Sequence, residues 1–142
     1  MRYRLQQPPM IVHCCHCTWC QRETGSAFAV NAMIEADALA VDGAVDHVMT
    51  PSESGKGQEI ARCPKCCVAL WSHYASAGRL IAFVRVGTLD DPSAARPDIH
   101  IFTRSTQPWV VLPDGVPAFD IFYEREQLWP PEALAPRAAA LS

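Results

Sequence analysis

The segment His13-Cys14-Cys15-His16-Cys17-Thr18-Trp19-Cys20-Gln21-Arg22-Glu23-Thr24-Gly25 decides how the rest of this chain is to be read. Cys15, Cys17 and Cys20 form a C-x-C-x-x-C unit, which places three thiols on one short loop. A C-x-x-C turn points two sulfurs at one centre. A third sulfur two residues upstream makes a three-ligand metal site, and a zinc ion held by three protein ligands keeps its fourth position for water or substrate.

All seven cysteines fall in two groups, the second being Cys63, Cys66 and Cys67 around Cys63-Pro64-Lys65-Cys66. Two C-x-x-C turns in one small domain are a strong zinc-knuckle signal. A closed site of Cys17, Cys20, Cys63 and Cys66 that only staples the fold is the structural alternative to an open site. A thioredoxin-like redox role requires a strand-to-helix setting in an α/β sheet, which the surrounding sequence lacks. Cys14 and Cys67 each adjoin a ligand candidate. Neighbours in an extended segment point opposite ways, so both read as small buried hydrophobes.

The chain has 142 residues, of which 49% are hydrophobic and 19% charged, enough for one globular domain. A formal charge of −3 leaves no global basic field, which argues against nucleic acid or an anionic membrane surface as partner. No apolar run reaches the roughly 18 to 20 residues of a membrane span, and Met1-Arg2-Tyr3-Arg4-Leu5 lacks a signal-peptide core, so a cytoplasmic protein is expected.

Outward from the cysteines the pattern is that of strands. Arg2 to Leu5 and Met10 to His13 flank the turn-prone Gln6-Gln7-Pro8-Pro9, and Gln21 to Gly25 reads as one helical turn stopped by glycine. Ser26 to Met33, Gln58 to Arg62, Val68 to Tyr74 and Arg79 to Val86 are apolar strands, with Cys63 and Cys66 at the tip of a hairpin. Pro51 to Gly57 is expected to be a mobile hairpin connection, its Gly55-Lys56-Gly57 lacking the full phosphate-loop pattern. Asp98 to Thr103 alternates as a half-buried strand in which His100 faces solvent or a hydrogen-bond partner. Residues 1–129 form the expected domain, and 130–142 a Pro/Ala-rich tail, helical after Pro131 or mobile.

The run Cys15-His16-Cys17-Thr18-Trp19-Cys20-Gln21-Arg22-Glu23-Thr24-Gly25-Ser26-Ala27-Phe28 resembles the signature of the glutathione-dependent formaldehyde-activating enzyme family, which includes centromere protein V. Arg62-Cys63-Pro64-Lys65-Cys66-Cys67-Val68-Ala69-Leu70-Trp71 resembles its second cysteine block, F-C-x-x-C-G-x-x-L-W. Gly87-Thr88-Leu89-Asp90, His100-Ile101-Phe102, Trp109 and Leu112-Pro113 resemble later blocks.

The resemblance implies a mainly β, Mss4-like domain with two Zn2+ sites: an activating site of Cys15, Cys17 and Cys20, and a structural site to which Cys63 and Cys66 contribute. The family draws the other two structural ligands from a cysteine pair just ahead of a V-R-Y segment. Here Arg2-Tyr3 follows Met1 directly, so that pair is absent, as a shortened N-terminus or a lost structural zinc would leave it. The family's glycine is replaced by Cys67, at a cost if the backbone there needs a positive φ.

The implied activity is a carbon-sulfur lyase-type reaction joining glutathione, or a similar thiol, to formaldehyde or another small aldehyde. Zinc suits it by holding a thiolate at neutral pH. Cys15, Cys17 and Cys20 are then the catalytic residues, and Arg22 is the nearest cation for a glutathione carboxylate. The alternative is a non-enzymatic zinc-stabilised module that binds a protein partner.

Overall fold

The computed structural model describes residues Met1–Ser142. Strands β1 (Arg2–Leu5) and β2 (Ile11–Cys15) precede a short helix α1 (Thr18–Thr24), which is followed by β3 (Ala29–Glu35), β4 (Leu39–Asp42) and β5 (Asp46–Thr50). Then come β6 (Gln58–Arg62), β7 (Ala69–Tyr74), β8 (Ile81–Arg85) and β9 (Ile99–Ile101), and the chain ends in helices α2 (Arg125–Leu128) and α3 (Pro131–Leu141). β1 and β4 form a small antiparallel pair, and the other strands form one sheet in the order β5-β6-β7-β8-β3-β2-β9. The architecture is the β-rich one expected.

Every pairing in the large sheet is antiparallel except β2 with β9, where His13, Cys14 and Cys15 run alongside Ile99, His100 and Ile101. Side chains alternate across a strand, so the sheet's two faces collect different residues. On one face Ile11, Cys15, Ala29, Met33, Ile81, Ile99 and Ile101 form a core with Cys17 and Cys20. On the other Val12, Ala32, Ile34, Ala82 and Val84 pack with Leu70 and Trp71.

This double coverage explains why β2 and β9 are buried along their whole length. The half-buried strand expected over Asp98 to Thr103 is instead covered on both sides: the first core takes the isoleucines, and His100 is buried among polar partners. A second difference concerns Pro51 to Gly57. The segment is tethered, through Gln58 Nε2 donating to the Pro51 carbonyl at 3.2 Å and an Arg104–Glu53 ion pair at 2.8 Å. Ser52 is buried within it.

After Pro130 the chain is helical, and Trp129 and Ala133 are buried in the first core, with Leu134 and Leu141 packed against it. Trp129 Nε1 donates to the Tyr123 hydroxyl at 2.6 Å, and that hydroxyl also meets His13 Nε2 on β2 at 2.5 Å. The C-terminal segment is thereby tied to the strand that leads into the first cysteine group.

Ile34 has no exposed surface and lies on the face away from Cys15. Ile34→Ala is expected to lower folding stability by about 2–5 kcal/mol in urea denaturation while leaving metal content unchanged. A second expectation concerns His73, buried on β7 with Nδ1 2.8 Å from the Ile81 carbonyl. Burial holds its imidazole below the ordinary pKa, so the unfolded chain takes up the proton more readily than the folded one. Its contribution to stability is complete above pH of about 6.5 and is lost as pH falls below that value. Denaturation midpoints at pH 7.5 and 5.5 should therefore separate less in His73→Gln than in the wild type.

Candidate metal centre

β2 ends at Cys15 and α1 begins one residue after Cys17, which compresses the three thiols into a single strand-to-helix turn. Cys17 is the helix cap: its sulfur accepts the backbone N–H of Cys20 at 3.3 Å. At the other end Gly25 adopts a left-handed φ of 64° and returns its N–H to the Gln21 carbonyl at 2.9 Å. Gln21 clamps the turn from below, with Nε2 donating to the carbonyls of His16 (2.8 Å) and Ser105 (2.9 Å). Thr24 Oγ1 donates to the Cys20 carbonyl at 2.8 Å, so Thr24 shapes the loop.

The sulfurs of Cys15, Cys17 and Cys20 all lie within 4.8 Å of one another, and all three residues are buried. A tetrahedral ion with Zn–S bonds of about 2.3 Å requires S···S separations of about 3.8 Å, so the trio fits three corners of such a site. Without an ion the thiols share protons: Cys17 is held well below the usual thiol range because it accepts from Cys15 and Cys20, and Cys15 is raised correspondingly. At Cys20 the neighbouring thiols Cys15 and Cys17 act in opposite directions, burial raises the pKa, and the positive charge of Arg85 lowers it.

The three cysteines line a cleft of about 310 Å³. Its walls are largely apolar and aromatic, including Trp19, Tyr74, Phe83, Phe102 and Phe122. Phe102 holds a left-handed backbone (φ 53°), a conformation that costs a non-glycine residue about 1–2 kcal/mol. The cations of the lining are Lys56 and Arg125. The loop expected to be a mobile connection thus forms part of this wall, through Ser52, Glu53, Ser54 and Lys56. Arg22 is exposed and stacks over the Trp19 ring at 4.8 Å, outside the cleft lining.

Cys14 points to the opposite face. It is only 1% exposed, and burial pushes its thiol up to about 12, which keeps it protonated, as the small-hydrophobe reading requires. With His16 and His100 it makes a second group whose potential ligand atoms lie within 4.8 Å. His16 Nε2 and His100 Nδ1 are 2.9 Å apart and share a hydrogen bond, and burial lowers both pKa values, so the pair is neutral. The bond ties β9 to the loop that carries the three thiols. In the sequence His16 is marked only as a polar residue between Cys15 and Cys17, and its partner His100 lies 84 residues away.

Cys63 and Cys66 sit at the tip of the β6–β7 hairpin, Cys66 exposed and Cys63 partly so, and no third cysteine, histidine or carboxylate joins them. The knuckle turn itself is formed, with the Cys67 N–H bonded to the Cys63 carbonyl at 2.8 Å. Cys67 has φ 62°, the left-handed value for which glycine is suited, and its side chain is exposed rather than buried.

The fold and site define a β-rich domain with cysteine and histidine groups arranged to bind a metal. The model of the glutathione-dependent formaldehyde-activating enzyme family matches residues 1–105, and the chain belongs to that family. No curated protein matches it individually. Residues 106–142 lie beyond the family match, yet Phe122 and Arg125 from this stretch complete the cleft.

Cys67→Gly is expected to raise stability by about 1 kcal/mol by relieving the left-handed backbone. Denaturation with metal analysis checks this, since a loss of bound metal would make Cys67 a ligand instead.

Proposed function

We propose that this protein joins a thiol of the glutathione class to formaldehyde or a similar small aldehyde, with Cys15, Cys17 and Cys20 holding a catalytic zinc ion. The observation that carries the reading is the three-membered thiol group on the wall of a cleft: Cys15, Cys17 and Cys20 would hold the ion as three protein ligands, and a fourth ligand would come from substrate. Zinc bound there would supply a positive centre that keeps a substrate sulfur in its nucleophilic thiolate form. Three thiolate ligands would make such a centre a weak Lewis acid, suited to thiol chemistry over water activation.

The chain's own residues bind, orient and exclude water. Lys56 and Arg125 are placed to receive the carboxylates of a glutathione-like thiol, and Arg22, held on the Trp19 ring, adds a third positive charge next to that wall. Glu53, although in the lining, is engaged by Arg104. The aromatic walls keep the reacting atoms dry, which matters because formaldehyde is hydrated in water. In the net reaction the thiol sulfur forms a bond to the aldehyde carbon, and the thiol proton ends on the former carbonyl oxygen.

A catalytic role for Cys63 and Cys66 has no support in this geometry; a structural zinc on them would need ligands beyond the two. The binding-module alternative draws on the exposed Trp109 (72%) and Val111 (88%) in the segment after β9.

The deciding experiment follows exchange between glutathione plus formaldehyde and S-hydroxymethylglutathione by NMR on the zinc-loaded protein. Acceleration over the uncatalysed control is expected, and Cys17→Ser should lose both the metal and the acceleration. Cys17→Ser with full rate and full metal would sink the assignment. Tightly bound zinc without acceleration in the wild type would favour the binding module.

A further inference from the structure

Arg85 is an anomaly in the sheet. It ends β8, a strand whose other residues are apolar, and it is only 6% exposed. A buried guanidinium is ordinarily matched by a carboxylate, because an unpaired charge in a low-dielectric interior is strongly disfavoured. Arg85 has no carboxylate within ion-pair distance. Its terminal nitrogens donate to two neutral oxygens, Asn31 Oδ1 and, at 3.1 Å, Ser72 Oγ, and its Nε has no partner. Glu23 borders the same surface hollow as Arg85, but its carboxylate is bonded to Arg62.

The register shows which charge is missing. Arg85 on β8 lies opposite Asn31 on β3, which lies opposite His13 on β2, and two residues along β2, on the same face, is Cys15. Asn31, which holds the guanidinium, lines the cleft together with Cys15, Cys17 and Cys20. Tyr74, on the same cleft wall, feels the charges of Arg85 and of all three cysteines. A divalent cation with three thiolates carries a net charge of −1, located where a buried positive charge is otherwise unmatched.

We propose that Arg85 is the built-in counter-charge of the metal–thiolate centre, a positioning residue that acts on the cysteines through the field and through Asn31 rather than by touching substrate. The inference rests on the reading of Cys15, Cys17 and Cys20 as the metal site. It also accounts for neutral anchors on the guanidinium: Asn31 and Ser72 orient it without cancelling its charge, as a carboxylate would. With a divalent ion held by the three thiolates, the same positive charge would offset their electron donation and favour an anionic sulfur as the further ligand.

The test is zinc affinity by chelator competition on the full chain, alongside melting temperatures of the zinc-loaded and metal-free forms. Arg85→Met should weaken zinc binding by about 10- to 100-fold, the range typical of lost outer partners of a metal site. The gain in melting temperature on adding zinc should shrink with it. Arg85→Lys and Ser72→Ala, which both keep the charge, should retain most of the affinity, and they carry the test if the methionine variant does not fold. A purely structural Arg85 would lower both melting temperatures equally and leave zinc affinity unchanged in every variant, which overturns the proposal. A wild-type chain that takes up no zinc would overturn the reading of the site and this inference with it.

Discussion

Three sulfur atoms are brought within 4.8 Å of one another, and most of the architecture around β2 serves that convergence. A strand ending at Cys15 and a helix capped by Cys17 bring the sulfurs together with a single connecting residue, His16, between them. Such a turn has little rigidity of its own. Gln21 fastens it to the backbone on two sides, Gln107 in turn holds Gln21 at 2.8 Å, and the His16–His100 bond fixes its connecting residue against β9.

The two faces of the sheet divide the labour. One is a core of aliphatic and aromatic side chains bordered by the buried Cys14, His16 and His100. The other combines packing with polarity, and its row of His13, Asn31 and Arg85 runs directly beside the thiols. His13 is neutral at physiological pH, its imidazole driven down to about 4 by burial and by the charge of Arg125. The cations of the cleft lining are Lys56 and Arg125, with Arg85 one strand further along the same row.

Much of this was legible in the sequence because the relevant signals are local. The C-x-C-x-x-C spacing defines the thiol trio, and period-two alternation with turn residues marks the strands around it. The hairpin bearing Cys63 and Cys66 was equally local. What escaped notice depends on segments distant along the chain. Lys56 and Arg125 reach the cleft from a loop and a C-terminal helix that no periodicity connects to Cys15. His100 looked half-exposed because alternation describes one strand and cannot show that both faces of the sheet are covered. Arg85 did leave a trace, as a charged residue within the apolar run Ile81 to Val86, but its meaning appears only once Asn31 and the cysteines are placed beside it.

The parallel pairing of β2 with β9 also has a kinetic side. His13 and Ile99 are adjacent in space, and Tyr123 closes on His13 from still farther along the chain. Contacts of such long sequence separation form late, since the loop they close must be ordered before they contribute. A nascent chain therefore emerges with its cysteine trio complete in sequence but lacking the strand and aromatic segment that bury it. Those thiols are open to solvent, to oxidants and to any soft metal ion during that interval, and burial of the trio waits on the last elements to dock.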